Sequence, residues 1–186
     1  MPKKFEKEFI SYCENQNLEV NPNQIKVIKK LEDYHNSNYK SFFSKLFSKQ
    51  KTKKGFYLYG GVGVGKTMIL NFFYDHLEEK KLKKHFNEFM LGFHDFVHEQ
   101  KEKNEENVIN QFVKNLKSKA SLVYFDEFQV TNIVDAMILG KLFEQIFKED
   151  IKIILTSNTK ISELYKEGLQ RERFIPFVKI MEDQSI

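Results

Sequence analysis

The amino-acid sequence predicts an α/β fold in which helices cover the faces of a parallel β-sheet. Short apolar runs of four or five residues alternate with longer stretches whose apolar residues recur every three or four positions. Three of the short runs lead into glycines, paired acids or an amide. Because parallel strands are buried on both faces and need helical crossovers, this alternation is typical of a parallel sheet.

The composition fits a single folded domain and excludes other classes of protein. The chain has 186 residues, of which 41% are hydrophobic, 30% charged and 15% aromatic. That content suffices for a buried core and excludes wholesale disorder. The apolar runs are far shorter than the roughly 20 residues of a membrane-spanning helix. The single cysteine, Cys13, has no partner for an internal disulfide, and the N-terminus has no apolar signal core, so we predict a cytoplasmic protein.

Residues 1–54 are predicted to form a basic helical arm in front of a core of residues 55–186. The arm has 12 lysines against 6 acidic residues, whereas the core has 18 basic against 20 acidic residues. Asn21 is a good cap for a helix that begins at Pro22, and a second helical segment is expected at residues 42–47. We interpret the lysines at the end of the arm as a solvated linker, with a contact to nucleic acid or anionic lipid as the alternative.

The order of elements in the core follows from the spacing of its apolar residues. Strands are expected at residues 56–59, 85–89, 122–125 and 151–155. Helices are expected where apolar residues fall on one face, at residues 69–77, 91–112 and 134–147. The stretch 101–107 is almost wholly charged or amide, which indicates an exposed helix or loop.

A glycine-rich segment between the first strand and the first core helix matches the phosphate-loop pattern G-x-x-x-x-G-K-[ST] at every position. Its residues are Gly60, Gly61, Val62, Gly63, Val64, Gly65, Lys66 and Thr67. Glycines let the backbone wrap closely around phosphate oxygens, and the following helix N-terminus adds positive potential. Lys66 supplies a charge to the β- and γ-phosphates, and Thr67 offers a hydroxyl to Mg²⁺. The segment therefore predicts a site for a nucleoside triphosphate.

Two adjacent carboxylates, Asp126 and Glu127, end the apolar strand at residues 122–125. Acids at the end of a buried strand are costly unless they meet a cation or a water network. Together with the phosphate loop, this predicts that Asp126 holds Mg²⁺ and that Glu127 polarises the attacking water. For this segment alone, an ordinary strand end that turns into solvent is the alternative.

Asn158 follows the apolar strand at residues 151–155. Because open α/β sheets bind ligands at the carboxyl ends of their strands, Asn158 is predicted to hold the water or the γ-phosphate. Ser-Asn is also common turn chemistry, so this assignment depends on the two motifs before it.

Arg171 and Arg173 are the only arginines, and the other 28 basic residues are lysines. A guanidinium pairs bidentately with phosphate and stays charged. We predict that one of the two acts as an arginine finger, on the nucleotide of a neighbouring subunit. Surface salt bridges with Glu167 or Glu172 are the alternative.

The histidines do not complete a zinc site in the sequence. His94 and His98 are four residues apart and would share one face of a helix. No third ligand of the zinc-binding type accompanies them, so we expect no metal between them.

Longer strings around these motifs resemble one family, the ZapE cell-division ATPases and their mitochondrial ATPase-family-gene-one-like relatives. The strings lie at residues 54–68, 125–131, 135–139, 156–158, 164–165 and 168–177. They are far more specific than the phosphate-loop pattern, and the resemblance spans roughly residues 20–180.

The resemblance implies an AAA+ type P-loop ATPase that hydrolyses ATP with Mg²⁺. It implies that the strand before Asn158 lies between the phosphate-loop strand and the strand of the two acids. It implies that Lys66, Thr67 and the loop as far as Met68 bind phosphate and magnesium. It implies that Asp126 and Glu127 form the Walker B pair and that Asn158 is the first sensor. Arg173, or failing that Arg171, would be the finger.

The function that the resemblance implies is conformational work on a protein partner, driven by ATP turnover. The expected partner is a component of cell division or of membrane-protein quality control. Self-association into a ring or an ATP-dependent oligomer, and peripheral association with the inner membrane, belong to the same expectation. The alternatives are a nucleic-acid-associated ATPase, such as a helicase loader that uses the basic arm, and an adaptor that binds nucleotide without hydrolysing it.

The sequence also departs from the family pattern. Asn132 stands where the family often has Asp, and Thr159-Lys160 replaces a more usual Arg-Pro. The family continues into a final core strand and a helical lid, whereas this chain ends at Ile186. We therefore expect the phosphate-loop strand to have an unpaired apolar edge.

Overall fold

The structure, a computed structural model, describes residues 4–39, 52–100 and 104–186. They divide into two compact units: the first contains the described residues up to 53 together with 63–77, and the second contains 54–62 together with 78–186. The helical segment expected at residues 42–47 lies outside the described residues.

The described part of the first unit contains three helices, α1 (Lys4–Asn15), α2 (Pro22–Tyr39) and α3 (Lys66–Asp75). The predicted helix start at Pro22 is confirmed, because the Asn23 N–H donates to the Asn21 side-chain oxygen at 2.8 Å. Aromatic side chains of α1 pack against those of α3: Phe9 and Phe72 meet with ring centroids 5.0 Å apart and Phe5 and Phe73 at 5.2 Å. Burial of these aromatic rings stabilises the unit.

The second unit contains a parallel sheet of four strands, β1 (Gly55–Tyr59), β2 (Lys81–His85), β3 (Leu122–Asp126) and β4 (Lys152–Ser157). The strand order is β1-β4-β3-β2. Residues of β3 and β4 are buried along their whole length, which explains their continuous apolar sequence. The predicted parallel α/β fold and three of its four strands are confirmed.

The strand expected at residues 85–89 is wrong. The strand in this part of the chain is β2, which spans Lys81–His85, and helix α4 (Phe86–Glu99) begins at the next residue. Among the described residues, strand β2 lies at the edge of the sheet and pairs with β3 alone. It therefore tolerates a lysine-rich sequence, in which no apolar run marks a strand. Phe86, Phe89, Met90 and Phe93 are the buried residues of α4, and their spacing is helical.

Helices flank this sheet and build the core with it. They are α4, α5 (Glu105–Lys119), α6 (Ile133–Lys148) and α7 (Ile175–Gln184). Phe125 of β3, Phe143 of α6 and Phe177 of α7 belong to one buried cluster, and the last two meet edge to face with ring centroids 5.1 Å apart. None of the described helices is long and apolar enough to cross a membrane.

The outer edge of β1 is partly paired by the last two residues of the chain. Ser185 forms a parallel bridge with Gly55, the Ile186 N–H donates to the Gly55 carbonyl at 3.0 Å, and the Tyr57 N–H donates to the Ile186 carbonyl at 3.0 Å. The expectation of a wholly unpaired edge is therefore wrong at Gly55 and Tyr57. Parallel pairing of this kind satisfies backbone groups that would otherwise face solvent.

Candidate functional site

The carboxyl ends of β1, β4 and β3 lie side by side along one edge of the sheet. Gly60, the first residue of the phosphate loop, donates its N–H to the Ser157 carbonyl at 3.2 Å. Asn158 follows β4, and Asp126 is the last residue of β3. The structure thus brings Gly60, Asn158, Asp126 and Glu127 to one edge, and β4 lies between the other two strands, as the resemblance implied.

The loop itself turns at two glycines and then enters helix α3. Gly63 and Gly65 have φ of 80° and 85°, in the left-handed region that side chains strain. A Cβ placed on Gly63 would meet no atom within 4 Å, so the loop surface is open there. Lys66 and Thr67 form the first turn of α3 and belong to the first unit, and Lys66 is half-buried while Thr67 is exposed. An open backbone turn that leads into a helix N-terminus fits the phosphates of a nucleotide.

Asp126 is buried, with 4% of its surface exposed, and its carboxylate is held by two donors. The Thr156 hydroxyl donates to Oδ1, and the Glu127 N–H donates to the same oxygen at 3.1 Å. The Glu127 N–H also donates to the Thr156 hydroxyl oxygen at 3.0 Å. A buried carboxylate with hydrogen-bonding partners is an oxygen donor of the type that Mg²⁺ prefers.

Glu127 leaves the strand in a left-handed backbone conformation, with φ of 56°. A non-glycine residue in this region costs of order 1–3 kcal/mol, and such residues are enriched at functional sites. The turn sends the Glu127 side chain outward, where 78% of it is exposed and its Oε2 lies 3.9 Å from Nδ1 of His85. The two adjacent acids therefore differ: Asp126 is fixed and buried, and Glu127 is exposed.

The loop that carries Asn158 is held by two hydroxyl groups. The Ser157 hydroxyl donates to the Phe128 carbonyl at 2.8 Å, and the Thr159 N–H donates to the Ser157 hydroxyl oxygen at 3.2 Å. The Tyr57 hydroxyl donates to the Thr159 carbonyl at 2.8 Å. Burial raises the pKa of Tyr57 to about 12, although a hydrogen bond with Ser157 opposes the rise, so this donor stays protonated at neutral pH.

The two arginines have different surroundings. Arg171 donates from Nη1 to the Leu164 carbonyl at 2.6 Å and from Nη2 to the Ser162 carbonyl at 2.8 Å. Arg173 is exposed, and its side chain makes no hydrogen bond or ion pair within the described part of the chain. Neither arginine pairs with Glu167 or Glu172 among these residues. Arg171 is therefore hydrogen-bonded to a loop, whereas Arg173 is exposed.

His94 pairs with an acid rather than with His98. Its Nε2 lies 2.6 Å from Asp135 Oδ1, and the other oxygen of Asp135 accepts from the Asn132 amide at 2.6 Å. Asn132 also caps α6, because its Oδ1 accepts from the Asp135 N–H at 2.8 Å. Within residues 4–39, 52–100 and 104–186, no group of three His, Cys, Asp or Glu side chains has a geometry that suits a metal ion.

Thr156 and Tyr57 were missed in the sequence. Both lie in strings that resemble the family, but a threonine or tyrosine inside a buried strand is ordinary strand composition and predicts no role. A buried hydroxyl needs a hydrogen-bond partner, so a contact is expected for each residue, but the sequence does not indicate which group forms it.

This sheet order, with a phosphate loop after β1 and an Asp-Glu pair at the end of β3, defines a P-loop protein. The model of the AFG1-like ATPase family matches residues 11–185, and the chain belongs to that family.

Similarity to curated relatives supports the same family assignment. The chain is 38% identical over 161 residues to lactation elevated protein 1 homolog B of Danio rerio, a match that covers 81% of this chain and 32% of the relative. It is 38% identical over 132 residues to the cell division protein ZapE of Escherichia coli K12, which covers 70% of this chain and 35% of ZapE. The chain thus spans about a third of the length of the curated relatives that it matches.

Solved structures show the same fold at low sequence identity. The DnaC helicase loader superposes with a TM-score of 0.56 at 13% identity, covering 90% of this chain and 89% of DnaC. The replication initiator DnaA bound to AMPPCP and single-stranded DNA superposes with a TM-score of 0.56 at 17% identity, covering 87% of this chain and 46% of DnaA. At these identities the likeness concerns the fold.

Proposed function

We propose that the protein hydrolyses ATP with Mg²⁺. One observation carries the proposal: the phosphate loop begins at the same sheet edge at which Asp126 is held buried and Glu127 is turned outward. A phosphate loop that begins at the sheet edge of one fixed and one exposed carboxylate suits attack by water, because phosphoryl transfer needs positioning and charge stabilisation more than covalent chemistry.

Each residue has a distinct role in this proposal. The loop N–H groups and Lys66 bind the phosphates, and Thr67 and Asp126 hold the magnesium. Mg²⁺, when bound, neutralises charge on the phosphate oxygens. Glu127 accepts a hydrogen bond from the attacking water and orients it, and Asn158 holds that water or the γ-phosphate.

Phosphate release from ATP tests the proposal, measured with and without Mg²⁺ on the wild-type chain, Lys66→Ala and Glu127→Gln. We expect Lys66→Ala to lose nucleotide binding, because the loop loses its cation. We expect Glu127→Gln to keep nucleotide binding and to lose turnover by about a hundredfold or more. The exposed Lys114 and Glu144 supply matched controls, Lys114→Ala and Glu144→Gln.

Unchanged turnover in both site variants would refute the assignment. Nucleotide binding without turnover in the wild-type chain would favour the non-hydrolysing adaptor instead.

We further propose that ATP-bound chains self-associate and that Arg173 of one copy reaches the nucleotide of the next, with turnover driving work on a protein partner in the cytoplasm. The pairing of Arg171 with two carbonyls favours Arg173 for this role. Mixing Arg173→Ala with Glu127→Gln tests it. If the arginine acts between copies, the mixture regains activity, since the intact acid of one variant meets the intact arginine of the other; no recovery would contradict it.

A further inference from the structure

Gln24 lies in the first turn of α2 and contacts the phosphate loop, 40 residues further along the chain. Its Nε2 donates to the Val64 carbonyl at 3.3 Å. Val64 stands between Gly63 and Gly65, the two loop residues with positive φ. Both partners belong to the first unit. The side-chain amide therefore binds the loop at its turn.

Gly65 leaves the space in which this amide lies. A Cβ on Gly65 would be 2.6 Å from Nε2 of Gln24, so the amide at the end of this flexible side chain would have to move away. Glycine at this position thus meets two demands, a left-handed backbone and room for the amide of a distant residue. The side-chain amide of Gln24 thus lies in the space that the absence of a side chain at Gly65 leaves in the phosphate loop.

The carbonyl oxygen of the Gln24 amide, Oε1, is buried and has no hydrogen-bond partner within the described residues. The orientation of the amide follows from Val64, because a carbonyl can only accept and so must face the NH₂ group. A buried acceptor without a partner costs about 1–3 kcal/mol. This cost offsets the contribution of the hydrogen bond to Val64, so the contact adds little net stability, and its effect on the loop is the role that its position indicates.

The start of α2 holds Gln24 in place. The Asn21 side chain caps the helix at the Asn23 N–H, and the Ile25 N–H donates to the Asn21 carbonyl at 3.1 Å. A salt bridge of 2.9 Å between Lys29 and Glu6 joins α2 to α1. Gln24 thus projects from a fixed turn rather than from a loop.

We propose that Gln24 is a positioning residue for nucleotide binding, which clamps the Val64 carbonyl and keeps the phosphate loop in the conformation that receives phosphates. The inference rests on the proposed function. Ordering loop residues on binding costs conformational entropy, and a loop ordered beforehand avoids that cost. The N-terminal helices are accordingly part of the nucleotide-binding unit and not a detached arm.

The test uses Gln24→Met, which keeps the length of the side chain and removes the donor. We expect the KM for ATP to rise about five- to tenfold while kcat changes by less than about twofold. Inorganic tripolyphosphate, which has no base, should lose the same factor when it displaces a fluorescent ATP analogue. Asn23→Ala is the matched control, since Asn23 is exposed and adjacent, and it should change neither constant.

Gln24→Glu is a second variant. It keeps the shape of the side chain, cannot donate when ionised and adds negative charge near the phosphates, so its KM should rise more than that of Gln24→Met. Thermal unfolding of both variants checks that the fold is retained.

Three results would overturn the inference: unchanged affinity in Gln24→Met, a loss for ATP that spares tripolyphosphate, or a fall in kcat at constant KM. Lys66→Ala separates this inference from the proposed function. If Lys66→Ala loses binding and Gln24→Met does not, only the role of Gln24 fails; if Lys66→Ala also binds normally, the ATP site itself fails.

Discussion

The Thr156 hydroxyl donates a hydrogen bond to Asp126 and accepts one from the Glu127 backbone. A single hydroxyl on β4 thus holds both acids at the end of β3. This contact makes Thr156 a positioning residue for the acids that the proposed mechanism uses.

Thr156→Val should lower turnover about tenfold or more, because a buried carboxylate that loses a donor costs about 1–3 kcal/mol and Asp126 would then move. ATP affinity measured without Mg²⁺ should stay close to that of the wild type. Steady-state kinetics and nucleotide titration measure the two effects. Thr156→Ser restores the hydroxyl and should restore turnover; equal loss in both variants would contradict a role for the hydroxyl.

Tyr57→Phe should lower the free energy of unfolding by about 0.5–1.5 kcal/mol, since the Thr159 carbonyl loses its donor. The folded pKa of about 12 lies above the unfolded value near 10, so the contribution of the hydroxyl is complete below the unfolded value and falls as pH rises toward 12. Urea unfolding between pH 6 and pH 9 should therefore give a constant difference. Tyr59→Phe is the control, because Tyr59 is 49% exposed; an equal effect there would contradict the prediction.

Arg171→Ala should destabilise the fold by about 1.5–3 kcal/mol, because two charged hydrogen bonds to Leu164 and Ser162 are lost. Arg173→Ala should change the free energy of unfolding by less than about 0.5 kcal/mol, as expected for an exposed side chain. Thermal unfolding of the two variants measures the difference. Similar shifts in Tm would show that the two arginines are not distinguished in this way.

Asp150 links two lysines, with Lys152 Nζ at 2.7 Å and Lys54 Nζ at 3.2 Å. Burial alone would raise the pKa of Asp150, but the hydrogen bonds and charges of Lys152 and then Lys54 outweigh it and lower the pKa. The stabilisation is therefore present above the unfolded carboxyl pKa and is lost as pH falls through the lower folded value.

Asp150→Asn tests this pairing, and asparagine tolerates the positive φ of 57° at this position. We expect the variant to be about 1 kcal/mol less stable at pH 7, since Asp150 is half exposed, and the difference to shrink below pH 3. Urea unfolding at both pH values measures it. A difference that persists at low pH would contradict the charge-based origin.

Asn132→Asp should destabilise the protein by about 1 kcal/mol although aspartate caps helices as well as asparagine does. The reason is that the Asn132 amide donates to the Asp135 carboxylate, and the substitution sets two carboxylates against each other. Thermal unfolding compares it with Asn132→Ala, which loses the cap and the amide donor to Asp135 but adds no charge. A variant as stable as the wild type would show that this carboxylate pair is tolerated.

The positions of the phosphate loop, the Asp126–Glu127 pair and Asn158 at strand ends were predictable, because each is a short local pattern of a strand with its following turn. The helix that starts at Pro22 was predictable for the same reason, because its capping hydrogen bond joins residues that are two positions apart. Strand β2 was misplaced because an edge strand needs few apolar residues, so periodicity did not mark it.

Local spacing and contiguous strings were enough to predict the α/β class, the family and the residues that lie at the strand ends. The contacts that hold those residues in place depend on the tertiary structure. Thr156 meets Asp126 across 30 residues, Gln24 meets Val64 across 40, and Tyr57 meets Thr159 across 102. Such contacts leave no periodic trace in the sequence, because they arise only when strand order and helix packing bring distant segments together.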